Sequence, residues 1–127
     1  MPPEKEVASA TPELAIRIRL MVGEATVMGP GKIELLGHIR DSGSISEAAK
    51  RMAMSYNRAW LHVKIMNESF QEPLVESNRG GATRCGASLT PMGEKVMQAY
   101  IAMYEGAEKG RTEGAAQIDE TAEGMNG

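Results

Sequence analysis

The sequence predicts a mainly α chain with a small β component, on three observations. An apolar stripe at i, i+3, i+4 and i+7 (Ile45, Ala48, Ala49, Met52) follows a serine placed to cap it. A longer helical run begins one tight turn later, near Tyr56. Two short β-type runs, PLVES and ASL, are separated by the glycine-rich NRGGATRCG. The chain has 127 residues, 42% of them apolar, which suits one small domain plus tails. Aromatic residues make up 4% against ten Met, so the core must rest on aliphatic side chains and Met.

In chain order, residues 1–12 (MPPEKEVASATP) read as a disordered tail. In LAIRIRLMV, Leu14, Ile16, Ile18, Leu20 and Val22 alternate with Arg17, Arg19 and Met21, a period of two that predicts a strand. Gly23-Glu24-Ala25 turns it, Thr26-Val27-Met28 returns it as a hairpin, and Gly29-Pro30-Gly31 ends the unit. KIELLGHIRDSG is a first helix with Ile33, Leu36 and Ile39 on one stripe and Gly43 as its stop. Ser44 and Glu47 form a capping-box pattern for the second helix, each side chain placed to meet the other's free backbone N–H. Ser55 caps a third helix, YNRAWLHVKIMNESF, whose Ala59, Val63, Met66 and Phe70 face inward while Asn57, Leu61, Lys64 and Glu68 face outward. After the two β-type runs, Thr90-Pro91 opens a last helix with Val96, Ala99, Tyr100 and Met103 on one stripe. A domain spanning 13–105 is expected, with an acidic, Gly/Ala-rich disordered tail over 106–127.

Composition narrows the function classes. No apolar run approaches about 18 residues, so no membrane span is expected. The N-terminus lacks the apolar segment of a secretory signal, which points to a cytoplasmic protein. One cysteine, Cys85, excludes an internal disulfide, and its loop position reads as incidental. His38 and His62 have no ligand-spaced neighbours and read as structural, so no metal or cofactor is expected. No nucleophile–base pair, carboxylate pair or phosphate loop appears, so an enzyme is not expected. The net charge is −3, but Glu105, Glu108, Glu113, Asp119, Glu120 and Glu123 sit in the tail against Lys109 and Arg111, leaving the body near neutral and free to carry a basic face.

Helix, capped short helix, tight turn, longer helix, hairpin, helix is the order of a winged helix-turn-helix. In that arrangement the third helix enters a DNA major groove about 12 Å wide and the hairpin loop reaches the neighbouring backbone. Asn57 and Arg58 stand where base edges would be met, Asn suiting adenine and Arg guanine. Leu61 would touch a thymine methyl. Ser44, Lys50, Ser55 and Lys64 are placed for phosphates, as is the Tyr56 hydroxyl, and Arg79 and Arg84 flank the glycines of the wing. Trp60 and the Tyr56 ring are expected to brace the flanks of the third helix.

GSIS-x-AA, MSY-x-x-AW and a GG wing before LTP-x-GE, taken together, resemble the N-terminal DNA-binding domain of the ModE family of molybdate-responsive transcription regulators, from about Leu14 to Tyr104. LysR-type regulators are more distant relatives of the same segment. The resemblance implies a homodimer on a palindromic operator, with the last helix as the dimerisation helix. Family members carry C-terminal oxyanion-binding modules of small β-barrel type. Here an acidic tail follows, so a regulator without the molybdate-binding domain is expected. The wing also departs from the family in carrying TRC among its glycines. The alternative reading is a winged-helix protein-interaction module that works with a separate molybdate- or tungstate-sensing partner.

Overall fold

The computed structural model describes residues 15–78 and 86–126. Arg17–Glu105 forms one compact unit, and the helical residues from Gly106 onward belong to a second. In chain order the elements are β1 (Leu20–Val22), β2 (Ala25–Met28), α1 (Pro30–Ser42), α2 (Ile45–Arg51), α3 (Tyr56–Ser69), β3 (Val75–Asn78), β4 (Gly86–Leu89) and α4 (Pro91–Asn126). The two hairpins are separate antiparallel sheets. This is the winged helix-turn-helix with an N-terminal hairpin that the sequence predicts.

Helices α1, α2 and α3 pack on one another, and β4 closes against α1. Their shared core contains Met28, Leu35, Leu36, Ile39, Met66 and Leu74, all fully enclosed, with Tyr100 and Met97 entering from α4. Ala48, Ala49 and Ala59 are at most 2% exposed. Their small side chains are what let α2 and α3 approach closely.

Three elements differ from the sequence reading. The first strand is only Leu20–Val22, and all three residues are exposed rather than alternately buried. Residues 15–19 run without a strand partner, and Tyr100 instead donates its hydroxyl to the Ile18 carbonyl at 2.9 Å. Pro30 does not end the hairpin unit but opens α1, because its fixed φ suits the first helical turn and its missing N–H is not needed there. Finally, α4 does not fray near Gly106 but runs to Asn126. No proline interrupts that stretch, and Ala, Glu, Gln and Lys are strong helix formers. Glu108 adds an ion pair to Arg111 at 2.9 Å and accepts the Thr112 hydroxyl on its carbonyl at 3.0 Å.

Candidate nucleic-acid interface

The entry into α3 is fixed by short-range chemistry. Gly43 ends α1 at φ 71°, a left-handed conformation natural to glycine, and returns its N–H to the Ile39 carbonyl at 2.8 Å. Ser44 caps α2 by accepting the Glu47 N–H at 3.1 Å. The reciprocal half of the capping box does not form. The Ser44 N–H is taken by the Ser42 hydroxyl at 3.2 Å, and the Glu47 carboxylate lies 3.8 Å from Arg51 instead. The α2–α3 turn closes with Ala53 at φ 53° and the Met54 N–H on the Ala49 carbonyl at 3.0 Å. Ser55 then accepts the Arg58 N–H at 3.1 Å, so α3 starts where the sequence places it.

Ala59, Val63 and Met66 of α3 are buried, which turns Asn57, Leu61, Lys64 and Glu68 to solvent. Leu61 is 52% exposed. Trp60 and Tyr56 are not flank braces wedged between helices. They are 46% and 51% exposed, and the Lys64 ammonium lies 5.8 Å from the centre of the Trp60 ring. Among the described residues Lys50, Arg58 and Lys64 enter no ion pair, whereas Arg51 is held by Glu47. The helix-turn-helix thus presents cations not neutralised by the protein itself. Glu68, at the far end of the exposed face, would repel phosphates, so the face suited to an anionic partner is the N-terminal half of α3.

At about 100° per residue, Arg58 stands well round the helix from Asn57, on the flank of its i+4 neighbour His62. Sequence reasoning groups Arg58 with Asn57 and misses the surroundings of that flank. There Lys32, in the first turn of α1, donates to the Thr26 carbonyl at 3.2 Å. His62 has its Nδ1 buried without a hydrogen-bond partner among the described residues. Burial pushes the His62 pKa below its usual 6.5, and the Lys32 and Arg58 charges add to the effect. Burial also lowers the Lys32 pKa. No sequence signal links residues 32 and 62, because the packing of α3 on α1 and β2 brings them together.

On the opposite flank, Asn67 ties α3 to the wing. Its Oδ1 accepts the Leu74 and Val75 N–H groups at 2.8 and 3.0 Å, and its Nδ2 donates to the Val75 carbonyl at 3.0 Å. The wing strands pair in register from Val75↔Leu89 to Asn78↔Gly86. Ala87 donates its N–H to the Gly43 carbonyl at 2.9 Å, so the wing is also fastened to the α1–α2 corner. Arg79, Arg84 and Cys85 lie outside the described residues. Among the described residues no group of His, Cys, Asp or Glu is arranged to hold a metal ion, and no helix is long and apolar enough to cross a membrane.

Away from this face, Ile18, Leu20, Phe70, Val96, Ala99 and Met103 line an apolar groove. Met21, Val22, Ile101 and Tyr104 extend the exposed apolar surface around it.

Residues 31–94 match the family described as bacterial regulatory helix-turn-helix protein, lysR family. The chain is 38% identical over 88 residues to the transcriptional regulator ModE of Haemophilus influenzae, an alignment covering 69% of this chain and 34% of that protein. It is 43% identical over 82 residues to the molybdenum-pterin-binding protein MopB of Rhodobacter capsulatus, covering 65% and 30% respectively. It is 39% identical over 85 residues to the DNA-binding transcriptional dual regulator ModE of Escherichia coli K12, covering 67% and 32%. The chain therefore spans about a third of the length of these relatives. Its fold is similar to the CbnR DNA-binding domain solved in complex with DNA, with a TM-score of 0.51 at 19% identity over 68% of this chain and 95% of that one. It is similar also to full-length LysG of Corynebacterium glutamicum with bound effector Arg, with a TM-score of 0.53 at 24% identity over 73% of this chain and 30% of that one.

Proposed function

Because the chain belongs to the LysR family of bacterial regulatory helix-turn-helix proteins, we propose that it binds double-stranded DNA sequence-specifically and regulates transcription. The observation that carries this reading is the exposed N-terminal half of α3, where Asn57, Leu61 and Lys64 share one face beside cations the protein leaves unpaired. Asn57 reads a base edge, Leu61 packs on a base methyl, and Lys64 and Lys50 meet phosphates. Ser44 and Ser55 spend their oxygens on helix caps but keep hydroxyl protons to donate to the backbone. Tyr56, exposed at the first turn of α3, offers its hydroxyl in the same way. Arg79 and Arg84 belong to the wing contact.

The chain acts as a homodimer. The exposed apolar side chains of β1 and α4 supply the interface, and two copies of α3 about 34 Å apart meet successive major-groove faces of a palindromic site. The relatives carrying the name ModE are called transcriptional regulators, which supports the same role here.

Asn57→Ala is expected to flatten preference at one base pair, costing about 1–3 kcal/mol on the preferred sequence and little on others. Competition binding against a set of single-base-changed duplexes measures this. Equal loss on every duplex would remove Asn57 from base reading.

A further inference from the structure

We propose that Lys32, Arg58 and His62 form a second DNA contact, to the phosphate backbone beside α3, with the neutral His62 ring donating from Nε2. This rests on the DNA-binding reading above and assigns a site within it that Asn57, Leu61 and Lys64 do not reach.

The three groups come from two elements that pack together, α1 and α3. Lys32 is held in place through its hydrogen bond to the Thr26 carbonyl, which leaves ammonium protons to donate. A cation in the first turn of a helix opposes the helix dipole, and no carboxylate among the described residues pairs with it. Arg58 lies one turn before His62 on the same flank and is likewise unpaired. Positive groups gathered in this way cost the free protein stability, and an arriving phosphate offsets that cost.

The His62 ring has a defined polarity. Its Nδ1 is buried with no partner, so in the neutral ring the proton belongs on Nε2, where it acts as a donor. Burial and two neighbouring cations hold the ring neutral near pH 7. The charges that face it are Lys32 from α1 and Arg58 from its own helix. β2 carries no titratable side chain, Glu34 of α1 is turned to His38, and Glu47 of α2 is engaged by Arg51. A phosphate here adds the missing opposite charge and accepts a hydrogen bond from the Nε2–H.

The test uses the full chain in fluorescence-anisotropy titrations with a duplex enriched from a random pool and a shuffled duplex of the same composition. Lys32→Gln is expected to weaken both about 3- to 10-fold and to lower the slope of log affinity against log salt by about one, while Lys32→Arg restores both. His62→Ala, which removes the Nε2–H donor, is expected to weaken both duplexes to a similar degree, by about 3- to 10-fold. An unchanged salt slope in Lys32→Gln overturns the phosphate contact, and unchanged binding by His62→Ala removes His62 from it. If Lys32→Gln weakens the enriched duplex alone, the contact is to a base and this site is overturned with the function intact. If the unaltered chain binds neither duplex, the functional reading fails and this site with it.

Discussion

Gly93→Ala is expected to destabilise the fold by about 3 kcal/mol or more and to lower the melting temperature by roughly 10 °C or more. A Cβ at this position would stand 2.3 Å from the Leu74 carbonyl oxygen, which is backbone and cannot rotate away. Leu74 is fully buried just ahead of β3, and its carbonyl also accepts the Thr90 N–H at 2.9 Å. Relief of the clash must move either the first turn of α4 or the entry to the wing. Either movement strains the Thr90 cap, whose hydroxyl accepts the Gly93 N–H at 3.0 Å and donates to the Pro73 carbonyl at 2.6 Å. Gly106→Ala is the matched control, since nothing beyond its chain neighbours and the adjoining helix backbone lies within 4 Å of the added methyl. It should stabilise α4 by about 0.5–1 kcal/mol through helix propensity. Denaturant unfolding of both variants measures the contrast. A Gly93→Ala variant within about 1 kcal/mol of the parent would show that α4 does not approach Leu74 this closely.

The second large effect is at Asn67. Asn67→Ala removes all three hydrogen bonds between α3 and the base of the wing, and strips the Asn67 acceptor from the N–H groups of Leu74 and Val75, both buried. Each buried donor left without a partner costs about 1–3 kcal/mol, so a loss of about 3 kcal/mol is expected. Asn67→Asp keeps the acceptor but loses the donor to the Val75 carbonyl and places a carboxylate oxygen against it, so it should not restore the parent's stability. Denaturant midpoints of the two variants, with duplex binding by whatever fraction folds, measure the effect. An Asn67→Ala change below about 0.5 kcal/mol would mean that the wing is held without this bridge.

What the sequence made legible was local. The caps at Ser44, Ser55 and Thr90, the stop at Gly43, and the inward stripes of α2 and α3 all depend on residues within one or two turns of each other. Each was recovered at its place in the structure. The competition for a cap was not legible. The capping-box pattern at Ser44 and Glu47 is equally a Glu47–Arg51 i+4 pair, and the nearer acceptor, Ser42, takes the Ser44 N–H. The extent of α4 is not legible either: Gly106, Gly110 and Gly114 suggest fraying, yet no proline follows and the helix continues to Asn126. Asn67, Gly93 and the Lys32–His62 pair carry no mark in the sequence. Their roles arise from how separate elements pack on one another, which no periodicity announces. Trp60, expected to brace a flank of α3, stands about a quarter turn from the buried Ala59, Val63 and Met66 and is 46% exposed.

The central claim is that the outward face of α3 reads DNA sequence. The most direct measurement is selection of the full chain against a pool of random duplexes at low salt, followed by sequencing of the bound fraction. The expected result is an enriched inverted repeat whose half-sites are about 10 base pairs apart, lost when Asn57 and Lys64 are both replaced by alanine. A bound fraction with no enriched sequence, or enrichment that survives that double substitution, would contradict the account.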